Sequence, residues 1–453
     1  MARATFTTVM SRQPRSVKHP GRAPRREAGF SIMEVMVGLS VGLLTVLIIT
    51  QTLSVFQGTK NTAVAGADAQ ESGLFALQIM SGDIRASGGG FYSSGASSGT
   101  TNSIFSCTRV YSYDSGNPGA CLGVASPIAA ISGCALTSAG YTLAAPLAPV
   151  IIEAGATSGY AANSDVITLR NAPRFIGAVP TAIAADANMS TNSDITVNRG
   201  FGFRQNDLAM ISAGANCTVF QVTNDPPDTT LSHAASGVYN PPTPSGWPSY
   251  SKVSQAQVYN LGDGNSKRGP VIANEYSVVT PSTGGVSLQL RTVQYGDPTD
   301  TAKNPVVSLA DGIVAMRAQY GVSTNAASPD TTACASSLAV ASNGWVGPDS
   351  SAWNTYWKPD KLTPALMGCI RAIRIVIVAR SGNPEAAEVP ASSCPAGGFG
   401  TGPCPWPNPV AGDPVIDLTT IPVRAGTNWK QYRYKVYSTI VPLRNVLWNI
   451  QSN

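Results

Sequence analysis

The stretch Arg25-Arg26-Glu27-Ala28-Gly29-Phe30-Ser31-Ile32-Met33-Glu34 opens a long apolar segment and decides the fold of the N-terminal part. It is followed by 25 uncharged residues, from Val35 to Thr59. At a rise of about 1.5 Å per residue, a helix of this length crosses a hydrocarbon layer of about 30 Å. The sequence therefore predicts a helix that anchors the chain in a membrane near its N-terminus.

One carboxylate, Glu34, lies at the start of this apolar segment. An ionised carboxylate at mid-bilayer costs about 2.5 to 3.5 kcal/mol on insertion scales. We therefore expect Glu34 to have a partner. The simpler alternative is an uncleaved anchor in which Glu34 lies near the interface and its side chain reaches water.

Two export signals are further alternatives. Ala63-Val64-Ala65 fits a secretory cleavage site by its letters, and Arg25-Arg26 could belong to a twin-arginine signal. The apolar region of a secretory signal has only about 7 to 15 residues, so both signals match this long segment poorly.

The basic leader, the glycine, the aromatic residue after it and the nearby glutamate resemble a type IV prepilin signal. In that pattern Gly29 precedes the cleaved bond, Phe30 becomes the new N-terminus and Glu34 is the fifth mature residue. The resemblance implies removal of residues 1–29 by a prepilin peptidase at the cytoplasmic face, followed by N-methylation of Phe30. It assigns Glu34 to subunit assembly, because the new ammonium group of a neighbouring subunit would balance a carboxylate in apolar surroundings.

The leader also explains the net charge. Residues 1–29 hold seven basic side chains against one acidic side chain, so removing this +6 from the whole-chain +5 leaves the mature chain at −1. Basic residues beside the first apolar helix keep that end in the cytoplasm, so the rest of the chain is expected in the periplasm and later on the pilus. The positive charge is thus a topology signal, and we expect no nucleic-acid partner.

Helical spacing of apolar residues continues beyond the membrane segment. The recurring residues are Leu53, Phe56, Leu74, Leu77, Met80 and Ile84. Ser87-Gly88-Gly89-Gly90 ends the pattern. The prediction is one pilin helix over residues 30–87, whose outer half packs this stripe on a globular domain. Inside it, Gly38 and Gly42 form a small-xxx-small motif for helix packing, with general glycine tolerance of membrane helices as the alternative.

Residues 88–453 are expected to form a mostly antiparallel β domain, so the predicted fold class is α+β. The 44 glycines and 33 prolines of the chain favour turns and strands over helices. Nine segments are alternating or wholly apolar between turn residues. They are residues 165–170, 194–198, 207–212, 218–223, 275–280, 286–291, 312–320, 370–379 and 432–441. The chain is expected to be rich in loops to about residue 160, with surface loops at 224–256, 322–360 and 381–428.

The eight cysteines are an even number, which predicts disulfides in an oxidising compartment. Cys394 and Cys404 bracket a short loop and are the first expected pair, and Cys334 with Cys369 is the second. The pairing of the other four is open: Cys107, Cys121, Cys134 and Cys217. No Cys-x-x-Cys occurs and the histidines are His19 and His233, so no metal site is expected.

Enzyme signatures are weak. Gly95-Ala96-Ser97-Ser98-Gly99 has the letters of a hydrolase nucleophile turn, but no strand precedes it. The sequence contains no phosphate loop or dinucleotide fingerprint. We therefore expect no enzyme activity and no cofactor. Trp345, Trp353 and Trp357 are expected to be core or loop-anchoring residues, with a binding surface as the alternative.

Five segments resemble the PilW family of minor pilins, which is similar in outline to minor pseudopilin J of type II secretion. They are residues 82–89, 206–223, 309–322, 379–384 and 432–445. This sequence differs from the family pattern in its long leader and in Ser87-Gly88-Gly89. The resemblance implies a minor pilin at or near the pilus tip that primes assembly with other minor pilins. The implied partners are the prepilin peptidase, the major pilin, the inner-membrane assembly platform and a large tip adhesin.

Size favours a rare subunit over a major one. A globular part of about 365 residues would be about 50 Å wide, whereas helices in a filament core pack about 8 to 10 Å apart. Such heads could not repeat at every position. The competing hypothesis from another class is a signal-anchored periplasmic binding protein or enzyme.

Overall fold

The computed structural model describes most of the chain in ranges separated by gaps. The described residues are 29–91, 103–113, 115, 141–142, 147–155, 160–161, 164–171, 179–225, 229–264, 273–280, 285–293, 306–332, 334, 337–385, 387–389, 394, 401–410 and 412–446. The predicted leader up to residue 28, the motif at 95–99, Cys121 and Cys134 lie outside them. By contacts the chain divides into two units, Met1–Lys60 and Asn61–Asn453.

Helix α1, Ile32–Ala86, is the one long helix among the described residues. It begins two residues after, and ends one residue before, the predicted bounds. The glycines after it end it as predicted, because Gly88 and Gly90 have φ values of 76° and 77°, a conformation that residues with a Cβ rarely adopt.

The second part of α1, which runs from residue 61 to residue 86, buries a different stripe of residues from the predicted one. Met80 and Ile84 are buried as expected, but Leu74 is 48% exposed and Leu53 and Phe56 are also exposed. The buried positions repeat every three or four residues and begin with small side chains. They are Ala65, Ala69, Gly73, Ala76, Met80 and Ile84. Small residues let the helix approach the sheet closely, and large leucines on this face would hold it away.

A five-stranded antiparallel sheet has the strand order β15-β14-β13-β4-β3. Its strands are β3 Val150–Ala154, β4 Asp165–Leu169, β13 Ala273–Val279, β14 Ser287–Val293 and β15 Val306–Asp311. One face packs into the main core through Tyr276, Val278 and Leu288. The other face carries Glu275, Ser277, Gln289 and Arg291.

A four-stranded antiparallel sheet, in the order β17-β16-β18-β19, completes the main core. Its strands are β16 Ile313–Val322, β17 Trp345–Val346, β18 Ile370–Arg380 and β19 Tyr434–Pro442. β16 and β18 are buried along almost their whole length, as mostly apolar strands between covered faces should be.

A six-stranded sheet, in the order β2-β1-β9-β8-β12-β5, is antiparallel except for the parallel pair β1 and β9. Its strands are β1 Arg109–Tyr111, β2 Tyr141–Thr142, β5 Thr181–Ala182, β8 Asp207–Ala213, β9 Asn216–Gln221 and β12 Gln257–Asp263. Four short strands form two further pairs beside it: β6 Ala187–Asn188 with β11 Ser249–Tyr250, and β7 Ile195–Thr196 with β10 Thr230–Leu231. Together they enclose a second apolar core.

The α+β fold class is therefore confirmed, and the nine predicted strands are all present with small shifts of their ends. Three strands, β1, β2 and β3, lie in the stretch that was expected to be rich in loops up to residue 160. β3 is a short apolar run between Pro149 and Gly155, and such a run does not alternate, so periodicity did not mark it as a strand.

The three long segments predicted as surface loops are wrong in part, because each contributes to a core. Residues 224–256 bury Leu231, His233 and Trp247, and residues 381–428 bury Trp406 and Ile416. Residues 322–360 bury Trp353 and Trp357 in a π-helical turn, Trp353–Trp357, ahead of the short helix α2, Pro364–Met367. Glycine, proline and serine mark turns, but they do not reveal whether an aromatic residue between the turns reaches the core.

Candidate assembly site

The helix begins with a local hydrogen-bonded cap that involves Glu34. The backbone N–H of Ser31 donates to Glu34 Oε2 at 3.1 Å, and the hydroxyl oxygen of Ser31 accepts from the N–H of Met33 at 3.3 Å. Ser31 is thus the N-cap, and Glu34 is the third helical residue, as in a capping box. The cap uses one carboxylate oxygen of Glu34.

Sequence analysis singled out Glu34 but missed Ser31. The signal was present, because Ser31-Ile32-Met33-Glu34 has the Ser-x-x-Glu spacing that marks a helix start. Glu34 therefore has a structural role within its own chain in addition to the predicted role between chains.

The residues around the predicted cleavage point are accessible. Phe30 is 85% exposed and Gly29 is exposed as well. Neither cleavage nor methylation is tested by this geometry, and both stay predictions.

From Ile32 to Phe56, the large apolar side chains of α1 are all exposed by half or more. Among the described residues α1 is the one helix that is long and apolar enough to cross a membrane. A Cβ added at Gly38 or Gly42 would meet nothing within 4 Å, so both positions have open space beside them. An apolar surface of this extent indicates a surrounding other than water.

The second part of α1 is held by specific contacts within its own unit. A Cβ built at Gly73 would lie 2.3 Å from the ring of Tyr437 in β19 and 3.3 Å from Cβ of Ala379 in β18. Tyr276 in β13 donates its hydroxyl hydrogen to Asp83. The side-chain amide of Asn445 donates to the carbonyls of Ala86 and Ser87 at 3.2 and 3.0 Å.

The domain residues that make these contacts with α1 lie in the region that a family model recognises. Residues 275–445 match the model PilW, described as Type IV Pilus-assembly protein W. Over this C-terminal region, which is less than half of the chain, the protein is similar to the PilW family. Searches of curated proteins and of solved structures return no match to the chain.

The matched family is described by its part in type IV pilus assembly. Three of the five resembling segments, 309–322, 379–384 and 432–445, lie inside the matched residues, whereas 82–89 and 206–223 precede them. The residues that hold the second part of α1, namely Tyr276, Ala379, Tyr437 and Asn445, also lie inside the match. The matched region therefore contributes several of the contacts that hold the helix, and Arg170, outside it, accepts from the N–H of Gly88 at 2.7 Å.

Three disulfides form among the described residues. Cys394 bonds Cys404 and Cys334 bonds Cys369, the two pairs favoured from the sequence. Cys107 bonds Cys217, across 110 residues of chain, and so ties the turn before β1 to β9. No metal-binding group of His, Cys, Asp or Glu occurs among the residues that the structure describes.

The predicted tryptophan cluster anchors loops to the four-stranded sheet. Trp353 stacks on Tyr320 at a centroid distance of 5.7 Å, and Trp357 donates from its ring nitrogen to the carbonyl of Ala326 at 2.8 Å. Trp345 and Trp406 contact the guanidinium of Arg374 at 4.6 and 4.0 Å from their ring centroids. The loop-anchoring interpretation is thus the one that the geometry supports.

A buried ion pair connects the two sheets of the main core. Asp165 in β4 accepts from the N–H of Ala318 at 2.8 Å, and its Oδ2 lies 3.6 Å from Nε of Arg317 in β16. Burial raises the pKa of Asp165 to about 7, although Arg317 beside it acts in the opposite direction. His233 lies in a loop, as expected from sequence, but its side chain is buried, and burial lowers its pKa, so this histidine is neutral.

Proposed function

We propose that this protein is a minor pilin of the type IV pilus. It is cleaved after Gly29, N-methylated on Phe30, and inserted at or near the pilus tip, where it primes assembly with other minor pilins. The observation that carries the proposal is the exposed apolar surface of Ile32–Lys60, placed directly after Gly29-Phe30 in a chain with a PilW region.

The proposed role of Glu34 follows from its unused hydrogen-bonding capacity. An ionised carboxylate has about four acceptor positions, and the cap with Ser31 uses one oxygen. Cleavage would create an ammonium group at Phe30, which needs an anion in apolar surroundings. A carboxylate of one subunit facing the ammonium of the next would fix the axial register between helices.

The exposed apolar part of α1 suits two environments in turn. In the precursor it would span the inner membrane, with the leader in the cytoplasm and the β domain in the periplasm. In the pilus the same surface would pack against the helices of other pilins, with Gly38 and Gly42 allowing close approach. Both environments remove the same apolar side chains from water.

The tip position rests on size and on the family. A β-rich head this large would collide with copies of itself at the spacing of a filament core. A place at the end of the filament avoids the collision and leaves the head free to present a tip adhesin. The prepilin peptidase, the assembly platform, the other minor pilins and the major pilin are the partners that this route requires.

Co-purification of the membrane-extracted protein with its pilin partners tests the proposal. Three variants separate the two roles of Glu34. Glu34→Ala removes both the cap and the charge, whereas Glu34→Gln keeps an acceptor for the N–H of Ser31 but removes the charge. Ser31→Ala removes only the hydroxyl that accepts from the N–H of Met33. We expect all three to be processed, both Glu34 variants to lose the other pilins, and Ser31→Ala to retain them. Wild-type recovery of pilins with Glu34→Gln would show that charge pairing has no part in assembly.

A further inference from the structure

A polar pocket of about 240 Å³ lies on the five-stranded sheet, on the face turned away from the main core. Its lining comes from three adjacent strands and one preceding loop. The lining residues are Tyr160, Glu275, Ser277, Val279, Gln289, Arg291 and Val306. The volume is below the range of about 300 to 1,000 Å³ that holds drug-sized ligands, so the pocket suits a single small ring.

The charges in the pocket balance each other. Arg291 donates to Glu275 through Nε at 3.1 Å and also through Nη2, and Tyr160 donates its hydroxyl hydrogen to Glu275 Oε1 at 3.0 Å. Glu275 is 1% exposed and forms a buried floor. Burial raises the pKa of Glu275 and raises that of Tyr160 to about 12, so the tyrosine remains a hydrogen donor. A charged ligand would meet no net opposite charge here.

Two polar side chains beside this floor are available for a ligand. Ser277 and Gln289 are directly opposed on β13 and β14. Ser277 is 4% exposed and Gln289 is half-buried, and both line the pocket. A ligand that covered these groups without hydrogen-bonding them would cost about 1 to 3 kcal/mol for each. The hydroxyl and the amide each offer both a donor and an acceptor.

We infer that this pocket binds a neutral sugar residue. Sugar hydroxyls both donate and accept, as Ser277 and Gln289 require, and the ring of Tyr160 supplies an apolar wall. An apolar ligand would cover the two polar groups without hydrogen-bonding them, and an anion or a cation would have to compete with the Glu275–Arg291 pair. The site is separate from the pilin helix, so it goes beyond the proposed function and does not depend on it.

Saturation-transfer NMR on the full mature chain tests the inference, in a detergent without a sugar headgroup. The probes are glucose, galactose, mannose and N-acetylglucosamine, each up to roughly 100 mM, because a Kd of 1 mM already corresponds to only about −4.1 kcal/mol. We expect at least one of them to bind. We also expect Gln289→Ala to weaken that sugar roughly tenfold, the effect of one lost hydrogen bond.

Two further variants make the result specific. Val306 is 47% exposed at the pocket, so Val306→Trp should block it without disturbing the core, and should abolish binding. Gln78→Ala, an exposed glutamine on α1, is the matched control and should bind as the wild type does. The inference is overturned if no probe binds, if Gln289→Ala and Val306→Trp bind like the wild type, or if glucuronate binds more tightly than glucose.

Discussion

The two parts of α1 differ in what their side chains contact, although they form one helix. From Ile32 to Lys60 the bulky apolar residues are exposed, and beyond Lys60 a stripe that begins with small residues and ends with Met80 and Ile84 is buried, with Gly73 against β18 and β19. The contrast shows that small residues can mark the start of a face that packs on the domain. We expect the large apolar residues of the first part to contact molecules outside this chain.

The strongest test of this contrast introduces charge into each part. Leu44→Lys with Leu47→Lys should cost roughly 5 to 7 kcal/mol of membrane insertion, because each central lysine costs about 2.5 to 3.5 kcal/mol. The variant should leave the membrane fraction, as measured by carbonate extraction. Leu74→Lys, on the exposed face of the second part, should stay in the membrane fraction at the wild-type level. Retention of the double variant would mean that the first part is not the anchor.

Loss of a disulfide should affect the domain and leave the anchor unchanged. Replacing Cys334 and Cys369 by serine opens a loop of 35 residues, which the chain-entropy model values at about 4 kcal/mol. Urea unfolding should show this loss, and carbonate extraction should be unaltered. If the midpoint in urea does not move, this bridge contributes nothing to the stability of the domain.

Within the second part of α1, neighbouring positions should differ sharply. Met80 is fully buried, so Met80→Ala should lower the free energy of unfolding by about 2 to 5 kcal/mol. Leu74→Ala removes an exposed side chain and should change it by less than about 0.5 kcal/mol. Equal losses of unfolding free energy for the two variants, measured by urea unfolding, would support the sequence prediction that Leu74 is a core residue.

Two glycines give a smaller effect of the same kind. Gly73→Leu would place Cβ against Tyr437 and Ala379 and should cost about 1 to 3 kcal/mol. Gly82 has nothing within 4 Å of an added Cβ, so Gly82→Leu should be neutral or slightly stabilising. Thermal unfolding of the two variants measures the difference, and a reversed order would contradict the close approach at Gly73.

The smallest expected effect is a dependence on pH that belongs to the domain alone. The folded-state pKa of Asp165, about 7, lies above its ordinary value of 3.8, so between these values the folded state binds more protons than the unfolded state. Stability should therefore fall as the pH rises from 5 to 8. Asp165→Asn should flatten this slope in thermal unfolding, and an unchanged slope would show that other groups cause it.

Sequence alone predicted the parts of this protein whose signal is local. The apolar run after Glu34, the glycines that end α1 and the mostly apolar strands β16 and β18 follow from hydrophobic pattern and turn chemistry. The buried face of α1 did not, because Ala65, Ala69 and Gly73 are nearly invisible to a hydrophobicity pattern.

Contacts between distant segments were also beyond the sequence. Nothing in the neighbourhood of Asp83 indicates Tyr276 as its partner, and nothing near Trp406 indicates that it stacks on Arg374. The cap by Ser31 is different, since its spacing to Glu34 was readable and was overlooked. Pairings across a fold depend on topology, whereas caps depend only on adjacent residues.

The central claim is that the exposed apolar part of α1 becomes the N-terminus of an assembled subunit. Mass spectrometry of the N-terminal peptide, on protein purified from cells that make pili, tests it most directly. The account predicts a chain that begins with N-methylated Phe30. A chain that keeps Met1, or one that begins at Gly66, would contradict it.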